Sequence, residues 1–211
     1  MEKIINDFTI NIATANGTGS QSANLILLNT LFRMGTHASG KNLFPSNIAG
    51  LPTWYIIRVS DKGYQAPGSK THIQVIMNID TWSDDVEGVE PGTVVISNMD
   101  VKVPVNRDDI IHYPVPMISM ARKINPKLSK MVANMIYVGI IAEMLEIPQD
   151  ILEEAISKQF NGKEKAIAVN AEASLAGREY FRNELKKEDN FYVEKRDKNE
   201  KQFLIDGNEA T

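Results

Sequence analysis

The sequence predicts an α/β fold: a three-layer domain with a mostly parallel sheet and a helical C-terminal half. Three observations point there. Short runs rich in β-branched and aromatic residues recur between polar stretches: T-W-Y-I-I-R-V-S at 53–60, H-I-Q-V-I-M-N at 72–78 and G-T-V-V-I-S at 92–97. An apolar strand, Phe8 to Ala13, runs through Asn16-Gly17-Thr18-Gly19 directly into a segment of helical spacing. From Met117 onward the chain reads as helices. A strand–turn–helix opening followed by buried strands is a Rossmann-like order.

The opening turn carries the chemistry. After it, Ala23, Leu27, Leu31 and Met34 recur at spacings of three or four, which marks one helix face. A glycine turn at a helix start points free N–H groups outward, and the helix dipole adds partial positive charge. Gly17 and Gly19 permit positive φ and put no Cβ in the way of a ligand. The turn therefore suits a phosphate or carboxylate. The same corner also occurs as plain architecture, with Ser20 or Ser22 capping the helix. A dinucleotide fingerprint is incomplete, because Ser22 stands where a third glycine is needed. The region expected to supply an acid offers only Thr36, His37, Ser39 and Lys41. A Walker loop is absent as well.

Along the chain, 36–43 is polar and glycine-flanked, and 44–52 (F-P-S-N-I-A-G-L-P) is bracketed by prolines. The second stretch is expected as an ordered loop, either packed on the glycine turn or serving as a rigid connector. Strands are expected at 53–60, 72–78, 92–97 and 110–116, the last stopped by prolines. His72 and His112 read as strand side chains rather than metal ligands. The acidic run 80–90 reads as a solvated face. Helices are expected over 117–123, over 127–145 behind an Asn125 cap and Pro126, over 149–159 and over 163–185. The second of these, 127–145, is apolar over much of its circumference and so is expected to be buried on more than one side, with methionines as core filler. Residues 186–201 are charged and mixed in sign, and read as a solvated linker outside the core. The expected organisation is one domain over 1–185, then a linker and the start of a further strand–turn–helix over 186–211.

Composition narrows the function. In 211 residues, 43% hydrophobic content is enough for a real core. A net charge of -4 argues against general nucleic-acid binding. With no cysteine, the chain forms no disulfide and holds no cluster through its own thiolates. The N-terminus is no signal peptide, and no apolar run reaches spanning length, so a soluble cytoplasmic protein without membrane contact is expected.

Four stretches resemble one family: Ala15-Asn16-Gly17-Thr18-Gly19-Ser20-Gln21-Ser22-Ala23-Asn24, then Phe44 to Tyr55, then Asn134-Met135-Ile136-Tyr137-Val138-Gly139, then Gly162-Lys163-Glu164-Lys165-Ala166. Together they resemble the gamma domain of 2-oxoacid:ferredoxin oxidoreductases, as fused at the N-terminus of 2-oxoglutarate-type alpha subunits. The tail from Asp206 to Thr211 resembles the opening of the thiamine-pyrimidine domain that follows there. Many relatives carry a G-G-Q-G-like first motif, so this chain resembles a variant branch.

The resemblance implies a part in oxidative decarboxylation of a 2-oxoacid to an acyl-CoA, with electrons passed to ferredoxin. It implies that this chain binds coenzyme A and supports assembly, a homo-oligomer being one form the assembly can take, without catalysing alone. Thiamine diphosphate and iron–sulfur clusters would belong to partner domains, an alpha-type thiamine-binding domain and a beta subunit. The implied coenzyme site uses Gly17, Gly19, Ser20, Gln21 and Ser22, with Ser46 and Asn47 beside them. Lys127 and Lys165, ahead of Lys41, would meet the phosphates. A purely structural scaffold of the same complex is the alternative, and a free-standing nucleotide enzyme lacks any nucleophile–base pair or metal constellation.

Overall fold

The computed structural model describes residues 2–44, 52–101 and 105–197, together with 199, 202 and 204. A two-residue strand β1 (Ile4–Ile5) leads into β2 (Asp7–Ala15), which ends at the glycine turn, and α1 (Ser20–Arg33) follows. Next come β3 (His37–Leu43), β4 (Pro52–Ser60), β5 (Ile73–Ile76), α2 (Trp82–Glu87), β6 (Val94–Asn98) and β7 (Ile111–Val115). The helices α3 (Met117–Ile124), α4 (Ser129–Met144), α5 (Gln149–Phe160) and α6 (Glu164–Glu184) form the C-terminal half, and β8 (Phe191–Tyr192) is the last element among the described residues.

The six-stranded sheet has the order β3-β4-β2-β5-β6-β7. The pairs β2–β5, β5–β6 and β6–β7 are parallel, whereas β4 runs antiparallel to both of its neighbours. The expected mostly parallel α/β domain is what forms. Alternation along the strands decides which helix covers which face. Phe8, Ile10 and Ile12 of β2, with Ile73, Val75, Val94 and Ile96, face the large core beneath α1 and α4. Ile76 and Val95 point the other way and pack on Val86 of α2 in a second, smaller core.

Two elements behave differently from the sequence expectation. The polar stretch 36–43 contributes an edge strand, and edge position explains its composition: most of β3 meets solvent and needs no apolar face. Pro114 sits inside β7 rather than ending it. This is tolerated because β7 is the other edge, where a missing N–H breaks no ladder.

The stretch after α6 corrects the solvated-linker reading. Phe191 and Val193 are buried, and β8 pairs in parallel with β1. Asn6, itself buried at φ 53°, donates from Nδ2 to Glu194 O and accepts at Oδ1 from Glu194 N. The buried Asp189 carboxylate accepts from the Tyr113 hydroxyl and from Lys187 Nζ, which also donates to Met144 O and Phe191 O. Asn199 Nδ2 reaches Phe32 O and Thr36 O. The charges in this run therefore satisfy buried carbonyls, while its few apolar residues join the core. Phe203-Leu204-Ile205 reads in the sequence as a small strand; of it only Leu204 is described, and the tail 206–211 lies outside the described residues.

The acidic run also departs from its reading in one place. Asp85 is buried, accepts from Trp54 Nε1 and Thr81 Oγ1, and has its carboxyl raised above the usual range mainly by burial.

His72 is more than a strand-end side chain. Its Nδ1 accepts the Thr9 N–H at 3.1 Å, its ring packs edge-on to Phe191, and burial, with Lys70 and Arg58, lowers its pKa below 6.5. His112 shares a 2.8 Å hydrogen bond with Ser97 Oγ and is lowered by burial too. In both cases the unfolded chain takes up the proton first as pH falls. Their contribution to stability is thus full above pH 6.5 and is lost below it. The raised carboxyl of Asp85 acts in the opposite sense from pH 3.8 upward, so a variant comparison is needed. Thermal melts from about pH 7.5 to about pH 5.5 are expected to show falling stability, with a shallower fall in His72→Gln. An unchanged slope in that variant would remove His72 from the account.

Candidate functional site

The site is built where β2 gives way to α1. Thr18 Oγ1 donates to Ala15 O and tightens the turn at 2.7 Å. Gly19 adopts φ 78° and is itself the N-cap of α1, with no side chain capping the first turn. The expected capping role of Ser20 is corrected: its buried hydroxyl accepts from Thr14 Oγ1 beneath the turn. The first N–H groups of α1 thus remain available to an external acceptor. Gly17 also has positive φ, and the space beside its Cα is open. A Cβ on Gly19 would press on Met131 Cε at 3.2 Å, a side-chain tip that can give way, so it is the positive φ that selects glycine here.

The N-terminal part of α4 is stapled over the turn. Asn134 Nδ2 donates to Thr18 O at 2.8 Å, and Tyr137 donates to Asn24 Oδ1 at 2.7 Å. Tyr137 is fully buried, and its hydroxyl pKa is raised by that burial. These two polar residues lie three apart on a helix that is apolar over most of its length. The motif from Asn134 to Gly139 draws attention to this stretch but gives neither side chain a role; their spacing of three on a helix read as buried on more than one side is the signal that they meet the same neighbour.

Helix α4 divides the space above the turn. On one side lies a largely apolar cavity of about 650 Å³. Gly19 and Ser22 line it from the turn and α1, Met131 and Met135 from α4, Phe160 from the end of α5 and Lys165, itself exposed, from the start of α6. On the other side lies a smaller cavity at the carboxyl ends of β2 and β5. The expected residues separate accordingly. Gly19, Ser22 and Lys165 share the large cavity, and Gln21 is exposed on the first turn of α1. Lys127 is exposed in the 126–128 turn and does not line the cavity, whereas its neighbour Leu128 does. Lys41 sits on the edge strand β3 with Arg58, away from the turn. Ser46 and Asn47 lie outside the described residues.

Met131 corrects the core-filler reading, since it is 50% exposed where Met135 and Met144 are buried. Among the described residues, Lys70 and Lys187 are the lysines held in ion pairs, which leaves Lys165 and Lys130 uncompensated. No group of three or more potential metal ligands occurs among the described residues. No helix in the structure is long and apolar enough to cross a membrane.

A helix N-terminus left open beside an apolar cavity in an α/β domain is a geometry that suits a bound ligand or a docked partner. The chain belongs to the pyruvate ferredoxin/flavodoxin oxidoreductase family, whose sequence profile matches residues 9–180. No curated protein sequence matches it. Among solved structures it is similar to a 2-oxoglutarate:ferredoxin oxidoreductase from Magnetococcus marinus, solved with 2-oxoglutarate, coenzyme A and succinyl-CoA bound. That match has a TM-score of 0.83 at 24% identity, over 94% of this chain and 34% of that one. The chain is therefore about a third of the length of that relative. The gamma subunit of a keto/oxoacid ferredoxin oxidoreductase from Geobacter sulfurreducens gives a TM-score of 0.66 at 18% identity, over 82% of this chain and 96% of that subunit. A pyruvate oxidoreductase subunit from Thermotoga maritima gives 0.62 at 18% identity, with the same coverages of 82% and 96%. The fold is the one these gamma subunits share.

Proposed function

We propose that the chain is the gamma-type part of a 2-oxoacid:ferredoxin oxidoreductase and holds coenzyme A at the start of α1. The observation that carries this is the uncapped α1 N-terminus at Gly19, open to an apolar cavity whose lining includes Lys165. Coenzyme A joins phosphates to a long, weakly polar body, and the site offers both kinds of surface. The first N–H groups of α1 and the Lys165 ammonium suit the phosphates. Met131, Met135 and Phe160 suit the rest.

In this reading the chain binds and orients the coenzyme but transforms nothing itself. Thiamine diphosphate and iron–sulfur clusters are supplied by partner domains, and electrons leave to ferredoxin through the complex. A scaffold reading has its own support, because Leu128 and Met131 are each about half exposed at the cavity mouth, as an interface would require.

Calorimetric titration separates the two. The chain is expected to bind coenzyme A saturably, and Lys165→Gln to weaken binding about tenfold, the worth of one charge-assisted hydrogen bond of about 1.5 kcal/mol. Equal affinity in Lys165→Gln would take the lysine out of the site. Absence of binding to the chain, alone and with its thiamine-binding partner chains, would favour the scaffold.

A further inference from the structure

The smaller cavity goes beyond the coenzyme reading. It measures about 190 Å³ and is lined by Ala15, Thr18, Asn78, Ile79, Lys130 and Asn134, among others. Its place in the fold is informative. Helix α1 leaves β2 on one face of the sheet, and α2 leaves β5 on the other. The adjacent ends of β2 and β5 therefore form a topological switch point, where open α/β sheets place ligands in the crevice beyond the strand ends.

Asn78 supplies a second, independent observation. It is 8% exposed, and its Nδ2 has no hydrogen-bond partner among the described residues. Its orientation is fixed, because Oδ1 accepts the Asp80 N–H at 3.1 Å, so the amide cannot be turned over without losing that bond. A buried amide with two unused protons is costly unless something accepts from it. Lys130, exposed and without an ion pair, brings a positive charge to the same cavity. The nearby Asp100 carboxylate does not line the cavity and is engaged by Ser119 N and Oγ.

We propose that this switch-point crevice is a second binding site, specific for the head group of a small anion, a carboxylate or a phosphate. Asn78 Nδ2 donates to it, and Lys130 supplies the counter-charge. Both cavities adjoin the glycine turn, but α4 lends Lys130 and Asn134 to this one and Met131 and Met135 to the large one, so it can be loaded independently of coenzyme A.

The test uses the isotopically labelled 211-residue chain at constant ionic strength, titrated separately with inorganic phosphate and with acetate. The readout is the Asn78 side-chain amide signal in ¹H–¹⁵N spectra. A saturable shift with at least one anion is expected, and the better of the two identifies the ligand class. Lys130→Gln should weaken it about fivefold or more, whereas Lys165→Gln should leave it unchanged. Lys165 is the handle on the coenzyme site, so failure of that reading would leave this result intact. The proposal is overturned if the Asn78 signal does not move with either anion up to about 50 mM. It is equally overturned if the shift is the same in Lys130→Gln, or if only the amides of Gln21 and Ser22 respond.

Discussion

Gly139→Val is expected to leave the chain unfolded or less stable by about 3 kcal/mol or more, read as a drop of about 10 °C in melting temperature. Helices α4 and α6 cross at two glycines that face each other's backbones. A Cβ on Gly139 would lie 1.9 Å from Ser174 O, and one on Gly177 would lie 2.2 Å from Ile136 O. Neither obstacle is a side-chain tip that can swing aside. Relief requires the two helices to separate, which would open the core around Ile136, Tyr137 and Ile140. It would also pull Asn134 and Tyr137 off the glycine turn, so the site should fail together with the fold. Gly177→Val should behave alike. Gly68→Ala serves as the control, since its nearest neighbour would be 4.0 Å away and the change should stay within about 0.5 kcal/mol. Circular dichroism melts of the three variants decide the matter. A near-native melting temperature in Gly139→Val would contradict the crossing described here.

The sequence made the buried half of this architecture legible and hid the rest for identifiable reasons. Strands β2, β4, β5 and β6 announce themselves because each buries side chains on at least one face and so must be β-branched or apolar. The turn at Gly17 and Gly19 is legible because positive φ selects a residue type. Strand β3 was not legible, because an edge strand exposed along most of its length carries no periodic apolar signal. The closing segment was hidden for a different reason. Asn6 and Glu194 are 188 positions apart, and no local pattern reports that Phe191 and Val193 will find β1 and the core. Within the site, Gly19, Ser22 and Lys165 came from motif reading and do share a cavity. Lys127 did not join them, because the 126–128 turn holds it outside while Leu128 faces in. Lys130 and Asn78 were missed altogether, since their significance depends on two strand ends and a helix meeting in space.

Gly19→Val carries the largest expected effect on ligand binding. A β-branched residue at φ 78° costs about 1–2 kcal/mol in the backbone alone. Its side chain would also press on Met131, whose Cε lies 3.2 Å from the new Cβ, at the mouth of the large cavity. The fold tolerates this, because the turn is half exposed and Met131 can shift, so the melting temperature should fall by only a few degrees. The approach to the α1 N–H groups, however, is blocked.

Calorimetry of coenzyme A binding to the native chain and to Gly19→Val therefore tests the central claim most directly. The account predicts micromolar, saturable binding to the native chain and a loss of at least about 50-fold in a variant that remains folded by circular dichroism. Equal affinity in the two proteins would place the coenzyme elsewhere and contradict the assignment of the glycine turn.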